Sequence, residues 1–236
     1  MKQILKTKNH HHFWIILLLV IPFSLPAQMK TPVKLGLKIS PNLTWMNTNV
    51  NGYSSNGVRA GATVGFVCDI YFAERYALST GFDFNFLGGK LKYDNKMITQ
   101  GDTLTGTMSR QYSLIYLEIP LLIKMQTKKF GRFSFYGQIG FGTGFRLTAT
   151  AKDDFVSDKG KEFSEKNNVN DETTLIRESV IIGVGTEFYL DQSTRFFFGL
   201  AYSNSLNNVL TGYNKITGAN EKAWLNYAQL NIGILF

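Results

Sequence analysis

From residue 33 onward, apolar and polar side chains alternate with a period of two, the signature of strands with one apolar face. In 33–41, Val33, Leu35, Leu37 and Ile39 share one face, and Lys34, Gly36, Lys38 and Ser40 share the other. The same alternation recurs at 58–71, 75–87, 110–125, 132–148, 176–190, 194–206 and 224–236, which predicts eight strands. In 75–87, Leu78, Phe82, Phe84 and Phe86 stand against Ser79, Gly81, Asp83 and Asn85. These segments are long for a soluble sandwich and suit strands that cross a bilayer at a tilt. The second face carries mainly Gly, Ser, Thr, Asn and charge, as the narrow interior of a small closed barrel requires. Glycines at every second position, as in Gly140-Phe141-Gly142-Thr143-Gly144, disfavour a helix by about 1 kcal/mol each. In lipid, only helices and closed barrels satisfy the backbone. The fold class is therefore all-β, an eight-stranded antiparallel up-and-down transmembrane barrel.

The connections alternate in length. Segments 42–57, 88–109, 149–175 and 207–223 are long and polar, whereas 72–74, 126–131 and 191–193 are short. That asymmetry is the one outer-membrane barrels show, with long external loops and short periplasmic turns. Segment 149–175 is the longest and most charged. A further hairpin around Phe155 and Phe163 would widen the barrel to ten strands.

The N-terminus follows a different pattern. Lys2, Lys6 and Lys8 precede the apolar run Phe13–Val20, and Ser24-Leu25-Pro26-Ala27 offers a cleavage site. The run is too short for a membrane span of ~20 residues and reads as a secretory signal peptide over 1–27, leaving 28–236 as the barrel domain. Cleavage removes three lysines and no acid, lowering the net charge from +8 to +5. No basic run exceeds Lys128-Lys129, so no nucleic-acid partner is implied. All three histidines, His10, His11 and His12, leave with the signal peptide. The mature chain then has no Ser-His-Asp triad, His-bearing zinc site or His base.

Several stretches resemble the PorT-type outer-membrane β-barrel family, the porin-like barrels of Bacteroidetes. They are Lys34-Leu35-Gly36-Leu37-Lys38-Ile39-Ser40-Pro41-Asn42-Leu43, Tyr71-Phe72-Ala73-Glu74-Arg75-Tyr76, Leu87-Gly88-Gly89-Lys90-Leu91, Leu230-Asn231-Ile232-Gly233 and, most specifically, Leu117-Glu118-Ile119-Pro120. The resemblance implies an eight-stranded barrel in the cell outer membrane. It also implies relatives among which one component is linked to type IX secretion.

Arg59, Asp83, Glu118, Lys124, Arg146, Glu187 and Arg195 fall on the face predicted to line the lumen. Charges in so narrow a space must be paired, so they read as a structural network, with Glu118 paired to Arg59, Arg146 or Arg195. Pro120 within a strand predicts a bulge near the periplasmic rim. Trp45, Tyr53, Tyr93, Tyr112, Tyr213 and Trp224 read as interfacial anchors. Cys68 faces lipid as a small hydrophobe. The acids of 149–175 lack the spacing of a Ca²⁺ loop and read as solvated. No catalytic, cofactor or metal residue emerges. The expected partners are outer-membrane lipid, the assembly machinery through the terminal Phe236, and an envelope protein. The function expected is a non-enzymatic barrel with a side-chain-filled lumen and long external loops. A small porin-like transport barrel or a secretion-linked envelope component is the alternative.

Overall fold

The computed structural model describes residues 32–99, 102–214 and 218–236; the predicted signal peptide lies outside them. In chain order the strands are β1 (Val33–Asn47), β2 (Tyr53–Ser55), β3 (Arg59–Ala73), β4 (Tyr76–Thr99), β5 (Asp102–Gln126) and β6 (Phe133–Ser157). They continue as β7 (Glu162–Asn168), β8 (Ile176–Tyr189), β9 (Arg195–Ser205), β10 (Tyr213–Asn214), β11 (Ala219–Asn220) and β12 (Trp224–Leu235). A 3₁₀ turn, Asn170–Glu172, precedes β8.

Eight of these strands close a ring by antiparallel pairing, in the order β1, β3, β4, β5, β6, β8, β9, β12 and back to β1. The seam is ordinary ladder, with Ile39 opposite Ile232 on one side and opposite Val64 on the other. Closure leaves the ring without an edge, which is what a sheet in hydrocarbon needs. The eight predicted strands are thus all present. The ten-strand alternative fails because β7 pairs only with β6, and β2 only with β4, so neither enters the ring. A hairpin around Phe155 and Phe163 does form, with those two residues opposite each other, but it stands on the ring as an extension.

The outward face is apolar over a limited band. On β4 it runs through Phe82, Phe84 and Phe86, and on β5 through Ile123, Leu121 and Ile119, all exposed. Beyond Phe86 and Ile115, towards the long-loop end, outward positions turn polar: Lys90, Lys92 and Asp94 on β4, Ser113, Gln111 and Ser109 on β5. The inward face changes in the opposite sense. Asp83 and Asn85 give way to Leu87, Leu91 and Tyr93, and Glu118 gives way to Leu114 and Tyr112, all buried. Period-2 alternation continues while its apolar phase moves from the outside to the inside. Where lipid ends, water meets the outer surface and the interior packs as a conventional core.

This inversion corrects two of the predicted loops. Segment 88–109 is mostly the continuation of the β4–β5 hairpin, paired as far as Thr99 and Asp102. Segment 149–175 holds the end of β6, all of β7 and the 3₁₀ turn. On β6 the change of phase coincides with a bulge, because Ile115 faces Thr148 while Tyr116 faces Arg146, leaving Leu147 as the extra residue.

Pro120 marks no bulge. It sits in register opposite Gly142 on β6, in the strand interior. Its missing donor falls on the β4 side, where Thr80 pairs with Leu121 and Asp83 with Glu118 but the positions between are unpaired. There Gly81 adopts φ +144°, and the Thr80 hydroxyl donates to the Pro120 carbonyl at 2.8 Å.

Candidate functional site: a sealed lumen and its capped mouth

Inward positions of the ring stack in three tiers. In the tier nearest the short turns, Lys124 Nζ lies 2.6 Å from both Asp69 Oδ2 and Glu187 Oε1, and Arg195 lies 2.6 Å from Glu187 Oε2. Arg195 also donates to the hydroxyls of Tyr71 and Tyr189, each at 3.1 Å. The Lys124 ammonium stands 4.7 Å from the Tyr136 ring centroid, near enough for a cation–π contact. Glycine makes room for that ring: a Cβ at Gly199 would lie 2.3 Å from the Tyr136 hydroxyl.

In the middle tier Lys38 pairs with Asp83 at 2.7 Å and Arg177 with Glu118 at 2.7 Å. Arg177 and Glu118 are fully buried. Arg177 also donates to Ser203 Oγ at 2.9 Å, and Tyr227 donates its hydroxyl to Glu118 Oε1 at 3.0 Å. A web of neutral side chains fills the rest, with Ser40 donating to Asn231 and Thr63 to Asn85. Lys38, Lys124, Arg177 and Arg195 balance Asp69, Asp83, Glu118 and Glu187, so these two tiers carry no net charge. Only a gap of about 40 Å³ opens between them, room for a few waters at most.

The third tier is apolar. Met46, Leu87, Leu91, Leu114, Tyr112 and Tyr116 pack inward from the ring, and Val169, Val209, Leu210 and Ala223 fold down on them from the connections. The cap is stitched by backbone: Thr174 N–H donates to the Val209 carbonyl at 3.0 Å and Val209 N–H to the Ala223 carbonyl at 2.9 Å.

Five of the seven predicted lumen charges therefore meet in the network: Asp83, Glu118, Lys124, Glu187 and Arg195. Two do not. Arg59 sits higher, donating to the Tyr112 carbonyl and, at 2.9 Å, to Ser113 Oγ. Arg146 ties the cap, donating to the carbonyls of Asn170 and Thr173. The expected partners of Glu118 are wrong for that reason, since Arg177 fills the role. Lys38, Asp69 and Arg177 are not among the predicted lumen charges, although each stands an even number of residues from Ser40, Thr63 or Ser179 on the inward face.

Above the cap, Arg110 is clamped by three contacts. Its Nε and NH2 reach the two Asp153 oxygens at 2.6 and 2.8 Å, and its NH1 reaches Glu172 at 2.6 Å. Burial works against its charge, but the Asp153 hydrogen bond, the Asp153 charge and the neighbouring Tyr112 and Tyr93 together outweigh it and hold the guanidinium above its ordinary pKa. Beside it Tyr53 stacks on Tyr93 with ring centroids 4.4 Å apart. Burial pushes the Glu221 carboxyl up, and the Arg110 charge offsets this only in part. Tyr93 and Tyr112 are buried here, so they are core residues and not interfacial anchors. Trp45 does face outward near the upper limit of the apolar band, stacked on Tyr202 at 6.0 Å. Cys68 is half-buried on the same outward face.

The family model described as an outer membrane protein beta-barrel domain matches residues 26–211. The chain belongs to that family. Residence in the outer membrane follows for this barrel from that membership, in keeping with its apolar band and closed ring. Among solved structures this outer-membrane barrel is similar to Neisserial surface protein A, at 8% identity, covering 86% of this chain and 95% of that one, TM-score 0.41. It is also similar to Ail, the attachment invasion locus protein of Yersinia pestis, at 12% identity over 86% and 98%, TM-score 0.37. A third is the outer membrane protease OmpT from Escherichia coli, at 9% identity over 90% and 98%, TM-score 0.33. These are likenesses of fold. No curated protein matches the chain.

Proposed function

We propose that this protein is a non-enzymatic, non-conducting barrel that holds a rigid β-extension outside the cell for a partner in the envelope or beyond it. The observation that carries this reading is the lumen, filled by two charge-balanced tiers under an apolar cap. An eight-stranded ring is just wide enough for side chains to fill, and these leave no aqueous path. The extension is built for permanence, since Phe155 packs with Tyr93, Leu104 and Met108 into a core of its own above the lipid band. Within the outer-membrane barrels, Leu117-Glu118-Ile119-Pro120 supports a place in the PorT-type branch. Residues 1–27 act in this reading as the export signal, so that mature chain begins at Gln28.

The test is sidedness. In a Cys68→Ser background, Lys159→Cys at the exposed tip of the β6–β7 hairpin should react with an impermeant maleimide on intact cells. Gln192→Cys in the β8–β9 turn should react only after permeabilisation. The reverse pattern would place the extension in the periplasm and end the proposal.

A further inference from the structure

The cap carries a small cavity that neither the lumen nor the lipid surface accounts for. It has a volume of about 300 Å³ and is lined by Tyr93, Arg110, Glu172, Gly212, Tyr213 and Glu221, among others. That is the lower end of the ~300–1,000 Å³ range of small-molecule sites.

Glu221 is the reason to read it as a site. The residue is only 5% exposed, yet its Oε2 has no hydrogen-bond partner among the described residues. Its other oxygen accepts from the Tyr53 hydroxyl at 3.1 Å. The Tyr112 hydroxyl stands near the same carboxylate and, like Oε2, is buried without a hydrogen-bond partner among the described residues. A carboxylate oxygen shut away from water and left unmatched is costly, and a bound group that donates to it removes the cost. Gly212 keeps that oxygen open to the cavity: a Cβ there would lie 2.6 Å from Oε2, closer than real contacts allow.

Charge specifies what fits. Arg110 is the nearby cation, and its three nitrogens are already engaged by Asp153 and Glu172. With Glu221 ionised, Arg110 stands against Asp153, Glu172 and Glu221 among the described residues, one positive group against three negative ones. The exposed Tyr213 and the buried Tyr93 add aromatic faces, which attract an organic cation and not an anion. We infer that this cavity binds a small organic cation, a primary ammonium or guanidinium group on a short apolar body, with Glu221 as its counter-ion. The inference does not rest on the lumen being sealed, since the site lies above the cap.

Agmatine, which carries both cationic groups, is the probe, with N-butylurea as a neutral molecule of similar size. Titration calorimetry on the mature protein in detergent micelles should show one agmatine bound per chain and no heat from N-butylurea. Glu221→Gln should weaken agmatine at least tenfold while the protein keeps the heat-modifiable gel migration of a folded barrel. Should Glu221→Gln not fold, Gly212→Ala decides, because it keeps the carboxylate and obstructs the approach to Oε2; it too should weaken binding. Equal binding of N-butylurea, no heat with millimolar agmatine, or undiminished agmatine binding by the folded variant would each overturn the inference.

Discussion

Glu118 and Arg177 meet 2.7 Å apart with neither side chain reached by solvent. Removing one partner of such a pair leaves a buried charge unmatched, at a cost of ~3–5 kcal/mol. Glu118→Gln should accordingly lower the unfolding midpoint of the barrel in detergent by that order. The double variant Glu118→Leu, Arg177→Met should recover most of the loss, because an apolar pair of similar volume needs no counter-charge. A midpoint unmoved by Glu118→Gln would show that water reaches the carboxylate. The face on which Glu118 lies was legible from alternation, but its partner was not. Strands in a barrel are tilted and staggered, so residues distant in sequence reach the same height only once the shear is known. Arg177 lies two residues from Ser179 on the same face, next to the start of its strand, where alternation is least distinct from the preceding connection.

The ring strands were readable as elements because lipid imposes the same apolar face on each of them. The extensions were not, because the environment that defines their apolar face reverses. Lys90, Lys92 and Asp94 look like a loop when the outward face is expected to be greasy. They belong to a strand whose greasy residues, Leu91 and Tyr93, have moved inside. The Phe155–Phe163 hairpin was foreseen from its aromatics, yet its place was not, since nothing local says whether a hairpin joins a ring or stands on one. Two separate cores, one of Phe155, Tyr93, Leu104 and Met108 and one beneath the cap, make a distinct prediction. Phe155→Ala removes a fully buried ring worth ~3–5 kcal/mol locally. Limited proteolysis should then cut within 158–168, while the ring below stays folded by gel migration. Loss of the folded ring in the same variant would mean that the extension and the ring form one cooperative unit.

At the scale of the whole molecule, the ring, the balanced charges and the cap act in the proposed function as a single device that shuts the lumen. In the two polar tiers four cations balance four anions, so these tiers carry no net charge to draw an ion through. The cap adds an apolar layer of buried Met46, Leu87, Leu91 and Leu225 that a hydrated ion would have to cross. Inward side chains that are individually polar, and that on a wider ring would line a channel, here fill the space between eight strands. Reconstitution of the purified mature protein into planar bilayers measures the outcome directly. The account predicts a flat current at either polarity, with no discrete opening steps. Stable single-channel steps that scale with salt concentration would contradict it.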